Sequence, residues 1–138
     1  NAASEILEIL GNEGASRVLI LGYSYKANVG DTRETPVEPL VNNLKEGGCE
    51  IVIHDPLVGR EELPDWAKKV TELSECGKID LVVLATSHEN YDISNAGFWS
   101  SIRNTMERPR IYDGRRTLPR EQMESDGWQY YGVGNPRS

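Results

Sequence analysis

Short uninterrupted apolar runs alternate with amphipathic stretches along this chain. Val18-Leu19-Ile20-Leu21 ends at Gly22, Ile51-Val52-Ile53 closes on His54-Asp55-Pro56, and Leu81-Val82-Val83-Leu84-Ala85 runs into Thr86. Runs this short and this apolar predict strands buried on both faces, the environment of a parallel sheet. Arg110-Ile111-Tyr112 and Gln129 to Val133 predict two more strands. Between them the period changes. Val37, Leu40, Val41 and Leu44 form one helical face; Thr35 and Glu38 make a Thr-x-x-Glu capping box around Pro36, and Gly47-Gly48 ends the helix. Trp66, Val70 and Leu73 stand at i, i+4 and i+7 and predict another helix. Phe98, Trp99 and Ile102 mark a further one, with Ser94 or Asn95 placed to cap it, and Pro119 to Glu124 a short last one. Ser4 to Leu10, with Ile6, Ile9 and Leu10 in phase and Gly11 as a stop, reads as the tail of a helix that belongs to something upstream. Residues 1–16 are therefore expected to be the end of an upstream helix and a linker, and residues 17–138 one domain.

Strand and helix in this rhythm imply right-handed βαβ crossovers, hence an α/β three-layer sandwich with a mostly parallel sheet. Such sheets bind ligands beyond the carboxyl ends of their strands. Attention therefore falls on Gly22 to Arg33, Asp55-Pro56, Thr86-Ser87-His88 and Asp113 to Arg116.

Composition narrows the classes of partner. The 138 residues are 38% hydrophobic and 27% charged, the mix of a single globular domain. Fifteen Lys and Arg against 22 Asp and Glu give a net charge of −7, which opposes a general nucleic-acid or anionic-membrane surface but permits a local pocket for a small anion. No apolar run reaches the length of a membrane span. Cys49 and Cys76 form no CxxC pair, and with only His54 and His88 they make no zinc constellation; they read as ordinary thiols of a reducing cytoplasm. The chain opens on Asn1 rather than Met, as expected of a fragment.

The segment from Gly22 to Pro36 is not a G-x-G-x-x-G turn. Its length and its Lys26 and Arg33 point to an anion held by side chains rather than to a pyrophosphate cradled by bare backbone. Arg115 and Arg116 beside Gly114 suit phosphate or carboxylate recognition, and with Lys26 and Arg33 they place four cations on one edge. Asp55, at the end of the second strand, has the position that accepts ribose hydroxyls in a dinucleotide site. Without the glycine fingerprint it reads instead as a strand terminator. His88 reads as a loop hydrogen-bonder, since no G-x-S-x-G elbow supports a hydrolase. Trp66, Phe98 and Trp99 read as core. Tyr25 is placed for an aromatic contact beside Lys26.

These residues carry a family likeness. LILGYSYKANVGDTRETP at 19–36, GCEIVIHDP at 48–56, DLVVLATSHENY at 80–91, IYDGRRTL at 111–118 and the closing Gly132-Val133-Gly134 resemble, in order, the C-terminal domain of the UDP-glucose/GDP-mannose dehydrogenase family. The resemblance implies a Rossmann-like domain from an enzyme that oxidises the C6 alcohol of a nucleotide sugar to a carboxylate with two NAD. It implies that Lys26 contacts the nucleotide diphosphate with Tyr25 packed beside it, that Arg115 reaches the ribose or sugar, and that Asp31, Arg33 and Glu34 shape the loop. NAD and the catalytic cysteine would belong to N-terminal and central domains absent from this chain, the full-length protein being a homodimer or larger. Neither Cys49 nor Cys76 matches the family's nucleophile, so the chain alone is expected to be inactive. A stand-alone ligand-sensing or interaction module, and a dinucleotide-binding domain using Asp55, remain as alternatives.

Overall fold

The computed structural model describes residues 1–11 and 15–134. Six strands form one sheet: β1 (Arg17–Leu21), β2 (Glu50–His54), β3 (Lys68–Lys69), β4 (Leu81–Leu84), β5 (Arg110–Asp113) and β6 (Gln129–Gly132). Their order is β3-β2-β1-β4-β5-β6, and every pairing is parallel. This is a Rossmann-like α/β arrangement whose strand order reverses between β1 and β4. The helices are α1 (Ala2–Leu10), α2 (Val37–Glu46), α3 (Ala96–Arg103) and α4 (Arg120–Ser125).

Alternation along each buried strand divides the core into two layers. Val18, Ile20, Ile51, Ile53, Val83 and Tyr112 face α1 and α2. Leu19, Leu21, Val52, Val82, Leu84 and Ile111 face α3 and α4. The α1 helix shares the first layer through Ala3, Ile6 and Leu10, all buried. Its Glu5 Oε1 accepts the Tyr112 hydroxyl at 2.7 Å and the Gly134 amide at 3.1 Å. Burial alone would raise this carboxyl, but those two donors hold it below its ordinary range. The expected linker at residues 12–14 lies outside the described residues.

Three sequence expectations fail. The stretch around Trp66, Val70 and Leu73 is not a helix, and Trp66 does not join the core. Lys68 and Lys69 extend along Val52 and Ile53 as an edge strand, and a single 3-10 turn follows at Leu73–Glu75. Ala67 and Val70 flank the strand and are buried, whereas Trp66 stays exposed beneath the Lys45 ammonium, 4.8 Å from its ring centroid. The spacing that looked helical thus fits a short strand between turns. The Thr-x-x-Glu box does not form either. Thr35 Oγ1 accepts the amide of Val37 at 3.2 Å, and helix α2 starts there, one residue later than expected.

Candidate functional site

The register fixes the geometry of the binding edge. His54, Leu21, Leu84, Asp113 and Gly132 lie in one row across the sheet. Lys26 lies five residues past Leu21 and Arg115 two past Asp113. Their strands, β1 and β5, flank β4, so the loops rise about 10 Å apart from the same edge. Tyr25, Lys26, Asp31, Arg33 and Glu34 line an open cavity of about 440 Å³. Arg115 lines a separate apolar one of about 140 Å³ with Val37, Leu40, Ala85 and Tyr112.

The four cations read from the sequence divide into two pairs. Arg33 grips Asp31 at two points, Nε to Oδ1 at 3.0 Å and Nη2 to Oδ2 at 2.9 Å. Its guanidinium and backbone N–H hold the Asp31 carboxyl down at about 2. Arg116 donates through Nε to the Val133 carbonyl at 2.9 Å. Among the described residues, no hydrogen bond or ion pair engages the side chains of Lys26 or Arg115, and both are exposed. Tyr25 is 49% exposed beside Lys26. Glu34 is exposed as well, at φ 52. Asn28, Glu34 and Arg116, the non-glycine residues with positive φ among those described, all lie in the loops of this edge. Backbone held in that region persists only where surrounding structure determines it.

At Asn28 a buried polar cluster supplies that determination. Asp55 is 1% exposed. Its Oδ2 accepts the amides of Tyr23 at 2.7 Å and Ser24 at 3.2 Å, and its Oδ1 accepts the Leu57 amide at 2.9 Å. His88 Nε2 is 3.0 Å from Oδ2. Burial would push the Asp55 carboxyl up, but His88 and the Tyr23 and Leu57 amides hold it below its ordinary range. Asp55 and His88 thus have the structural parts expected of them. What the sequence did not reveal is that they join each other, because β2 and β4 lie on opposite sides of β1. Two polar residues, each the first or second chemically distinctive group after a parallel strand, were the available signal.

In a nucleotide-binding sheet the pyrophosphate occupies the crevice where strand order reverses, and an acid after β2 takes the ribose. Here the turns after β1 and β4 pack closely against each other. A Cβ on Gly22 would lie 2.4 Å from Thr86 Cβ and 2.8 Å from its backbone nitrogen. Thr86 Oγ1 donates to the Ser24 carbonyl at 2.9 Å, and Asp55 faces the loop after β1.

Cys49 and Cys76 are buried, and burial raises both thiols. They are therefore held as thiols rather than nucleophilic thiolates. Among the described residues, no helix is long and apolar enough to cross a membrane.

The sequence profile of the UDP-glucose/GDP-mannose dehydrogenase family, UDP binding domain, matches residues 19–120. The chain belongs to this family. It is similar to the UDP-glucose 6-dehydrogenase of Rickettsia prowazekii, with 30% identity over 98% of this chain and 32% of that protein. It is also similar to the UDP-N-acetyl-D-mannosamine dehydrogenase of Methanocaldococcus jannaschii, with 28% identity over 88% of this chain and 28% of that protein. The crystal structure of an NDP-N-acetyl-D-galactosaminuronic acid dehydrogenase from Methanosarcina mazei superimposes with a TM-score of 0.71 and 28% identity, covering 98% of this chain and 27% of that one. The chain thus spans about a third of the length of the curated relatives it matches. The family, an oxidoreductase family, enters through its UDP-binding part.

Proposed function

We propose that this chain is the substrate-holding C-terminal domain of an NAD-dependent nucleotide-sugar 6-dehydrogenase, and that it grips the nucleotide diphosphate of a UDP-sugar. The observation that carries this is a pair of exposed cations whose side chains make no hydrogen bond or ion pair among the described residues, Lys26 and Arg115, on loops of one sheet edge in a chain of family membership. Lys26 meets a diphosphate oxygen as a point charge, with the Tyr25 ring against the nucleotide. Arg115 offers a fork of donors to the ribose or sugar. Asp31, Arg33 and Glu34 shape the loop between them. Oxidation of the C6 alcohol and the binding of NAD belong to parts of the protein outside this chain, including the domains through which the intact protein would assemble. This domain contributes by fixing the remote end of the substrate, which positions the reacting carbon.

Calorimetric titration of the chain with UDP and with NAD tests the reading. UDP is expected to bind, and Lys26→Ala and Arg115→Ala each to weaken it by about tenfold, the loss of one charge-assisted contact. NAD is expected to give no saturable heat. Equal UDP affinity in the parent and both variants, or tighter binding of NAD than of UDP, would overturn the proposal.

A further inference from the structure

The Lys26 loop is fastened at points that bracket the lysine. On one side Ser24 Oγ donates to the Lys26 carbonyl at 3.0 Å, and the Ser24 carbonyl accepts from Thr86. On the other, the Asn28 amide donates to His88 Nδ1 at 2.8 Å, while Asn28 Oδ1 accepts the Glu89 amide at 2.8 Å. Three of these four bonds reach residues 86–89, which follow β4 on the far side of the switch point. His88 is 1% exposed and is the centre of the arrangement.

The chemistry of the imidazole makes its role directional. A backbone N–H can only donate, so Nδ1 must accept, and the single proton of the neutral ring sits on Nε2. There it faces the Asp55 carboxylate at 3.0 and 3.1 Å, with Ser24 Oγ at 3.2 Å. This is not a nucleophile arrangement. Serine and carboxylate share one ring nitrogen, whereas a base that activates a serine needs them on opposite nitrogens. The ring instead joins the end of β2 to the loop after β1.

We propose that His88 is a positioning residue for nucleotide binding: through the Asn28 amide it sets the conformation of the loop that carries Lys26. The link to the nucleotide rests on the function proposed above; the link to the loop does not. In this reading the crevice that holds a dinucleotide in related sheets is used to brace a binding loop, with His88 as the brace.

The test separates the two ring nitrogens by substitution in the full chain. In His88→Asn a side-chain oxygen replaces Nδ1, and in His88→Gln a side-chain nitrogen replaces Nε2. Amide hydrogen exchange at Asn28 and Lys26, read by NMR, reports the loop without any ligand. His88→Ala is expected to speed Asn28 exchange by about tenfold, a local opening that leaves β1 and β4 amides protected. His88→Asn is expected to restore the slow rate, and His88→Gln to leave it fast. UDP affinity should follow the same order, falling about tenfold in the alanine variant and recovering in the asparagine one. Should His88→Ala fail to fold, the contrast between Asn and Gln still decides. Unchanged Asn28 exchange in His88→Ala, or rescue by Gln and not by Asn, overturns the proposal. If the parent chain does not bind UDP, the functional reading fails while the exchange result still judges the brace.

Discussion

At the scale of the residue, this sheet edge holds charge in two ways. Asp55 is buried and accepts from Tyr23, Ser24, Leu57 and His88, so an amide in its place turns one acceptor into a donor that faces other donors. Asp55→Asn should cost about 2–4 kcal/mol of unfolding free energy, the range for leaving buried polar groups unpaired. A urea titration that finds parent-like stability would show that the network relaxes at little cost. The Lys26 side chain, by contrast, is exposed and makes no hydrogen bond or ion pair among the described residues. Lys26→Ala should leave the urea midpoint within error. In an intact enzyme it should raise KM for the nucleotide sugar while KM for NAD stays unchanged, because only the substrate contact is lost. Gly22 is a third kind of residue. Its φ is 92°, and an added Cβ would meet Thr86 backbone atoms at 2.8 Å, so the neighbour that must move is not a flexible side chain. Gly22→Ala should destabilise by about 2–4 kcal/mol from strain and overlap together, read in the same titration.

Among the elements, the buried strands were the most legible. Val18 to Leu21, Ile51 to Ile53 and Leu81 to Leu84 are apolar without interruption because helices cover both sides of them, and that pattern survives any detail of the turns. The edge strand β3 was not legible. It consists of Lys68 and Lys69, whose backbone pairs on one side only and whose side chains carry no apolar alternation. Its flanking residues fall at a spacing that three apolar side chains share with a helix. Helix α1 follows from the spacing of Ile6, Ile9 and Leu10, but nothing in that spacing shows how fully it joins the core. Ile6 is 0% exposed, in the buried layer shared with α2 and one face of the sheet. Ile6→Ala should therefore cost about 2–5 kcal/mol, as for a core residue of any central element. A loss well under 1 kcal/mol would mean that α1 detaches without disturbing the rest.

Across the whole molecule, the site was legible in kind but not in assembly. The cations after β1 and β5 were visible as residue types at strand ends. The Asp55–His88 brace joins residues 33 positions apart through a sheet order that no local pattern encodes. The same burial of polar groups under the sheet edge shapes how stability responds to acid. His54 lies against Tyr91, whose hydroxyl is 2.7 Å from Nδ1. Burial lowers its pKa and the Lys69 charge adds to this, while Asp55, Glu72 and the Thr71 carbonyl oppose it. A group whose folded pKa is depressed in this way binds its proton first in the unfolded chain. Above the unfolded value of about 6.5 neither state is protonated and His54 contributes no pH dependence. As pH falls below about 6.5 the unfolded chain takes up a proton that the folded chain refuses, and stability declines by up to about 1.4 kcal/mol per pH unit until folded His54 also titrates. Asp55 and Glu5, whose carboxyls are held low in the fold, add a loss of the same sign as pH falls through about 4. Urea midpoints measured from pH 8 to pH 4 should therefore stay level at first and then fall in two stages. His54→Gln, which keeps a polar side chain but cannot take a proton, should lessen the slope of the upper stage and leave the lower one. A parent-like slope between pH 7 and pH 5 in that variant would assign the upper stage to another group.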